Sequence, residues 1–212
     1  MEDLERAREN LIDYLDHEIA DKRVTEAMRR VPREAFVSPE QYHTAYDDRP
    51  LDIGFGQTIS QPFIVALMVQ ALELKGDEKI LELGTGSGYE AAILAELAQK
   101  VVTVEFIPEL AESAKQVLDK LGYSNIEVHI ADKTLGWPEG APYDAIIVSA
   151  GAPGVPQVLL EQLAWDGRLV IPVGSRWQQD LLRVTRLRKG NRIENLGGCY
   201  FVPLIGEGAW ER

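Results

Sequence analysis

Apolar residues recur at helical spacing from the start of the chain. Leu4, Ala7, Leu11 and Leu15 share one face, which predicts an amphipathic helix over residues 3–18. Val24, Ala27, Met28 and Val31 predict a second helix, stopped by Pro32. Residues 33–56 follow neither the helical nor the strand period. They read as a loop-rich region holding Phe36, Tyr42, Tyr46 and Phe55. The apolar run "FIVALMVQAL" then predicts a helix from Pro62 to about Leu74. Proline suits its first turn, where a missing N–H costs little.

From Lys79 the pattern alternates. "KILEL" is a short apolar strand, followed by glycine-rich "GTGSG" and helical "YEAAILAELAQ". "VVTVE" predicts a strand, "PELAESAKQVLDKLG" a helix, and "IEVHIAD" and "YDAIIVSAG" two more strands. "VPQVLLEQLA" predicts a helix and "RLVIPVG" a strand. This order means a mostly parallel α/β sheet with helices on both faces. "DLLRVTRLR", "KGN" and "RIENLGGCYFVPL" close the chain as an antiparallel hairpin. No repeat or linker interrupts it. The simplest account is one domain over residues 1–212. Residues 1–75 form a helical cap and substrate side, and residues 76–212 form the core.

Composition narrows the functions. The apolar fraction is 45% and the formal net charge is -12. An acidic surface disfavours non-specific binding to nucleic acid or anionic membrane. The opening "MEDLERAREN" is unlike a signal peptide, and "FIVALMVQALEL" is too short to span a bilayer. A soluble cytoplasmic protein is the expectation. Cys199 is the single cysteine, so no intrachain disulfide forms; it reads as a small buried residue near a strand. His17, His43 and His129 are poor catalytic candidates, and no Cys or His spacing suggests a metal site.

"LELGTGSG" follows a strand and opens a helix. Gly84, Gly86 and Gly88 allow a tight turn and close approach to a ligand at a strand's carboxyl end. The spacing is not that of dinucleotide sites, and no Walker lysine follows. A glycine turn alone is equally a plain strand-to-helix connection. Acids change the balance: Glu82 precedes the loop, Glu105 ends the next strand, and Asp132 ends the third. An acid at the second strand's end can accept both hydroxyls of a ribose. Acids beside the loop suit a cationic ligand better than a pyrophosphate. S-adenosylmethionine has a ribose, an amine and a sulfonium, and no phosphate.

"VPREAFV", "AYDDRPLDIGFGQTISQP", "ILELGTGSGYEAAILA", "TLGWPEGAPYDAIIV", "VPQVLLEQL", "GRLVIPVG" and "FVPLIGEGAW" together resemble the protein-L-isoaspartate O-methyltransferase family. They cover nearly the whole chain in the family's order. The resemblance implies a class I methyltransferase (Rossmann-like) fold and S-adenosyl-L-methionine as donor, leaving S-adenosyl-L-homocysteine. It implies an acceptor in the α-carboxylate of isoaspartyl proteins and peptides, whose methylation starts repair through a succinimide. No nucleic acid, membrane or second copy is implied, so a monomer is expected. By position, Ser60 is the residue usually named as the active site, with Thr58 beside it. Ile59 and Gln61 flank the donor's sulfonium end. Glu82, Gly84, Thr85, Gly86 and Gly88 match the donor loop. Glu105 and Phe106 match the ribose side, and Asp132 and Lys133 the adenine side. "FVPLIG" is implied to lie across the substrate cleft.

"GQTISQP" is polar but uncharged, between two apolar runs. A carboxylate is ionised at neutral pH, so its methylation needs no general base. Holding oxygen and methyl in line is the task. A Lys or Arg clamp would over-stabilise the ground state, whereas neutral donors from Thr58, Ile59 and Ser60 orient the carboxylate without doing so. The plainer reading makes Ser60 a helix N-cap before Gln61 and Pro62. Both roles can hold together.

Three positions depart from the family's pattern: "ADK" at residues 131–133, Phe106 after Glu105, and "SAGAPG". Three rivals stay open: a methyltransferase of this fold acting on a different peptide, a nucleic-acid or small-molecule methyltransferase, and a binding module that has lost the donor.

Overall fold

The computed structural model describes residues 2–132 and 134–211. α1 is Glu2–Glu18 and α2 is Lys22–Arg30. Asp21 caps α2, accepting from the Arg23 backbone N–H at 3.1 Å. The predicted stripes are buried: Leu11 and Leu15 on α1, and Val24, Ala27 and Met28 on α2. α3 is Pro62–Ala71, shorter than its apolar run, because the chain turns at Glu73 with φ 50°.

Residues 33–56 are more ordered than expected. Two 3-10 turns, Arg33–Phe36 and Pro39–Thr44, precede a hairpin of β1 (Leu51–Gly54) and β2 (Gln57–Ile59). The first half of the polar run is therefore a strand. Its three residues are too few, and too polar, to show a period.

The main sheet contains β3 (Lys79–Leu83), β4 (Lys100–Glu105), β5 (Ile126–Ile130), β6 (Tyr143–Val148), β7 (Leu163–Gly174), β8 (Gln179–Leu187) and β9 (Gly190–Cys199). Its order is β5-β4-β3-β6-β7-β8-β9. The first five strands run parallel, and β8 and β9 add the antiparallel hairpin. α4 (Tyr89–Ala95), α5 (Pro108–Leu121) and α6 (Gln157–Gln162) make the connections. After β3 the chain moves to one side through β4 and β5, then crosses to β6 on the other. Such a switch leaves a crevice at the strands' carboxyl ends.

Side chains alternate across the sheet. Ile80, Val101, Ala145 and Ile147 join the core formed with α1 to α4. Leu81, Leu83, Val102, Val104, Ile146 and Val148 join the core under α6. By the same alternation Glu82, Thr103 and Glu105 share the α4 face, and Ser149 continues it past β6.

Several boundaries differ from expectation. β5 stops at Ile130, so Asp132 lies two residues beyond the strand. α6 ends at Gln162 and β7 begins at once, so Leu163 and Ala164 are strand rather than helix. The turn of that strand needs Gly167, since a Cβ there would come within 2.8 Å of the Asp144 carbonyl oxygen. β9 stops at Cys199, and a bridge between Gly151 and Pro203 brings "FVPLI" back to the crevice. Cys199 is half-buried rather than buried, and burial, with the negative charge of Asp180, pushes its thiol up to about 11. Among the described residues, no helix is long and apolar enough to cross a membrane.

Candidate active site

The crevice at the switch is a cleft of ≈ 1040 Å³ including its open mouth. Its floor is the glycine loop. Gly84 and Gly86 have φ of 94° and 52°, a conformation that L side chains rarely adopt. Gly88 has φ 90° and does a different job. A Cβ there would stand 3.3 Å from Ala114, so glycine lets α4 start close against α5. Gly88 does not line the cleft; Gly84, Thr85 and Gly86 do.

Glu105 lines the cleft at the end of β4. One carboxylate oxygen accepts from Gly86 N at 2.8 Å and the other from Ile107 N at 2.9 Å. The acid thus braces the glycine loop, and each oxygen keeps a second lone pair for a ligand. Phe106 lies beside it in the wall, 37% exposed. Asp132 also lines the cleft, its carboxylate accepting from Thr134 N at 2.7 Å. Lys133 lies outside the described residues.

Glu82 takes a different place. It is fully buried on the α4 face, outside the cleft lining, with the Thr103 hydroxyl as its hydrogen-bonding neighbour. Burial, then the charge of Glu90, holds its carboxyl well above the usual carboxylate range. Glu90 lies in the first turn of α4 and does line the cleft. The Ser149 hydroxyl donates to one of its oxygens, and the other has no partner. Burial pushes the Glu90 carboxyl up to about 7.

Thr58, Ile59 and Ser60 form a further wall of the cleft. They follow the hairpin tip, and strand β1 of that hairpin packs over the glycine loop: a Cβ on Gly86 would lie 3.4 Å from Ile53 Cδ1. Two long-range contacts hold this wall. The Arg33 guanidinium, fully buried, donates to the carbonyls of Ala45 and Ser60, both at 2.8 Å, and lies 4.7 Å over the Tyr89 ring. Asp48 accepts from Phe63 N and from Gln61 Nε2, both at 2.8 Å. Gln61, not Ser60, holds the N-cap position of α3, without a side-chain cap bond of its own. Asp48 supplies that cap from a distance. The helix-capping reading of Ser60 is thus replaced, and Gln61 stands behind the wall rather than in it. Val202 to Ile205 close the remaining side.

Sequence reasoning did not find Glu90, Ser149, Arg33 or Asp48. Glu90 carried a faint signal as the one acid in apolar "YEAAILA". Nothing local marks Arg33 or Asp48, whose partners lie 12 to 27 residues away.

The cleft offers Glu90, Glu105 and Asp132, and no lysine or arginine among the described lining residues. A phosphate-rich ligand finds no counter-charge there, while a cationic nucleoside does. His129 stacks on Trp137, ring centroids 4.0 Å apart, away from this lining. Among the described residues, no group of three or more His, Cys, Asp or Glu side chains could hold a metal ion.

A parallel sheet with a glycine loop at the switch, and an acid at the end of the neighbouring strand, defines a class I S-adenosylmethionine-dependent methyltransferase. The chain belongs, more narrowly, to the family described as Protein-L-isoaspartate(D-aspartate) O-methyltransferase, whose model matches residues 6–209. It is 54% identical over 213 residues to Protein-L-isoaspartate O-methyltransferase 1 of Syntrophobacter fumaroxidans, covering 100% of both chains. A solved protein-L-isoaspartate O-methyltransferase superposes with a TM-score of 0.84 at 29% identity, over 95% of this chain and 67% of that one. A Plasmodium falciparum relative solved with S-adenosyl-L-homocysteine gives 0.78 at 25% identity, over 91% and 95%.

Proposed function

We propose that this cleft transfers a methyl group from S-adenosylmethionine to the α-carboxylate of isoaspartyl residues in proteins and peptides. The observation that supports the reading is that neutral Thr58, Ile59 and Ser60 line the same cleft as the glycine loop. The donor, when bound, supplies a methyl group already activated by the sulfonium. The protein's residues supply position. Gly84 to Gly86 and Glu105 hold the nucleoside, with Asp132 and Phe106 at its far end. Thr58 and Ser60 orient the acceptor oxygen by hydroxyl and backbone N–H. Glu82, Gly88 and Gln61 support the loop and wall from behind. No side chain need take a proton, because the acceptor is already an anion at neutral pH. Closing the cleft over acceptor and donor excludes water, and alignment supplies the acceleration.

The ester formed is a better electrophile than the acid. Attack by the following backbone nitrogen gives a succinimide, and hydrolysis returns part of the material as ordinary aspartate. We read residues 1–75 and 76–212 as one working unit, acting as a monomer in the cytoplasm, without nucleic-acid or membrane partners. An acidic chain of charge -12 supports the last point.

The test is transfer of labelled methyl from S-adenosylmethionine to an isoaspartyl peptide, beside the same peptide with aspartate. Base-labile label on the isoaspartyl peptide alone is expected. Transfer to neither peptide, with donor still binding, would point to another acceptor. Absence of donor binding would return the chain to a binding module.

A further inference from the structure

The cleft wall formed by Val202 to Ile205 lies outside the strands of the main sheet. It follows β9, so its backbone is held from elsewhere. Two bonds hold its middle: Gly151 N donates to the Val202 carbonyl and Leu204 N to the Gly151 carbonyl, both at 2.8 Å. Its far end is held by Trp210, whose backbone N–H donates to the Leu204 carbonyl at 3.0 Å. Its near end is held by a side chain. The β8–β9 ladder ends at the pair Gln179 and Cys199, and Phe201 N, two residues on, donates to Gln179 Oε1 at 2.8 Å.

Gln179 is 2% exposed and does not itself line the cleft. Its Nε2 donates to the Ser175 carbonyl at 2.6 Å, so the side chain ties the β7–β8 turn to the start of the wall. It also packs against Gly151: a Cβ there would stand 3.0 Å from Gln179 Cδ and 3.2 Å from Nε2. Gly151 belongs to "SAGAPG", one of the departures from the family's pattern, and its bare Cα leaves room for the amide beside the backbone that carries the wall. An amide accepts and donates from one planar, uncharged group; a carboxylate only accepts, and an aliphatic chain does neither. Burying such a group is costly unless both ends are bonded, as they are here. Strand order separates this wall from the donor's acids. Glu105 ends β4 and Asp132 follows β5, on one side of β3. Gly151 follows β6 and Gln179 opens β8, on the other. With the donor on the first side, the second is left to the acceptor.

We propose that Gln179 is a positioning residue for methyl transfer: from outside the cleft it fixes the wall at Val202 to Ile205, and through that wall it sets the affinity for the isoaspartyl acceptor. The inference rests on reading the cleft as the site of isoaspartyl methylation. Gln179 touches neither reactant. Its two bonds fix where Phe201 leaves β9, and Gly151 carries that position to Val202 and Leu204. Phe201 is 7% exposed, so loss of the Gln179 acceptor would strand its N–H away from water. The start of the wall would then move to find another partner. A wall displaced at one end presents a poorer surface to a peptide, while the glycine loop and Glu105 keep their own bonds.

The test compares KM for an isoaspartyl peptide with calorimetric binding of S-adenosylhomocysteine. Gln179→Met keeps the length of the side chain and removes both bonds. KM for the peptide is expected to rise about tenfold, with the Kd of S-adenosylhomocysteine unchanged. Gln179→Glu carries the test where Gln179→Met does not fold. As a carboxylate it accepts from Phe201 N but meets the Ser175 carbonyl without a proton; as an acid it restores both bonds. The charged groups beside it in the chain are Asp180, which favours the acid, and Arg176, which is engaged with the Trp210 ring and the Glu211 carbonyl. Its peptide KM, relative to the unaltered protein at the same pH, is expected to be raised about tenfold at pH 8.5 and to return close to parity at pH 5.5. Loosening of the fold alone would not restore the acceptor as pH falls. An unchanged peptide KM in Gln179→Met, an equal weakening of S-adenosylhomocysteine, or a Gln179→Glu ratio indifferent to pH would each overturn the inference while leaving the methylation reading intact. Failure of the unaltered protein to methylate the isoaspartyl peptide would overturn that reading, and this inference with it.

Discussion

Ser60 and Arg33 work at the same point of the cleft by different means. Ser60 lines the wall, and Arg33 holds Ser60's carbonyl from inside the core. Ser60→Ala removes one hydroxyl from the cleft lining, on the side we propose takes the acceptor. Turnover is expected to fall by up to roughly a hundredfold, with the donor's Kd near normal. Steady-state kinetics beside calorimetry checks this, and equal loss of donor binding would remove Ser60 from the acceptor side. Arg33→Met relieves a buried cation that burial already holds below its ordinary pKa, but leaves two carbonyls without a donor. The two effects oppose, so the net loss in urea unfolding is expected to be only about 1–2 kcal/mol. Turnover should fall further than stability suggests, because the wall is no longer fixed. A variant that unfolds more readily yet turns over normally would make Arg33 structural only. These two residues mark what single positions reveal. The glycine loop and Glu105 were legible because a strand, a turn and an acid follow one another in the chain. Arg33 was not, since "VPREAFV" says nothing of a guanidinium folded inward to bond carbonyls 12 and 27 residues on. The burial of Glu82 outside the cleft lining was not legible for a related reason. β3 is buried on both faces, so its apolar pattern does not say which side the acid enters.

At the scale of elements, the β1–β2 hairpin was the piece least visible in advance. Its tip carries Gly54, Phe55 and Gly56 at φ of 87°, 55° and 71°. The glycines accept this freely, but Phe55 does not, at a cost of roughly 1 kcal/mol. Phe55 is also 61% exposed, so packing does not repay the strain. Such an aromatic, on the tip that leads into Thr58 and Ser60, fits contact with a peptide's side chains at the mouth of the cleft. Phe55→Asn places a residue that tolerates this conformation. Its folding stability should be unchanged or slightly raised, while KM for an isoaspartyl peptide rises several-fold and donor Kd stays constant. An unchanged KM would reduce the tip to a simple turn. The regular elements were legible because their periods are strong and their lengths ordinary. The hairpin and the 3-10 turns are short, and distant contacts such as Asp48 to Phe63 hold them in place.

For the whole molecule, the buried acids make stability depend on pH in an unusual direction. Most carboxylates in folded proteins are held by partners, so acid weakens the fold. Glu82 and Glu90 are raised instead, chiefly by burial. A group raised on folding stabilises the native state fully below its unfolded pKa, near 4.5, and loses that contribution as pH rises through its folded value. For Glu90 that window runs from about 4.5 to about 7, and at full ionisation the loss is of order 3 kcal/mol. Other carboxylates act oppositely, so the net profile of the unaltered protein mixes both. The difference between it and Glu90→Gln isolates the one group. In urea unfolding without ligand, the variant should be close to the unaltered protein at pH 5 and more stable by a few kcal/mol at pH 8.5. Parallel curves at both pH values would mean that Glu90 is ionised in the free fold at little cost. The pocket would then have a partner for it beyond Ser149.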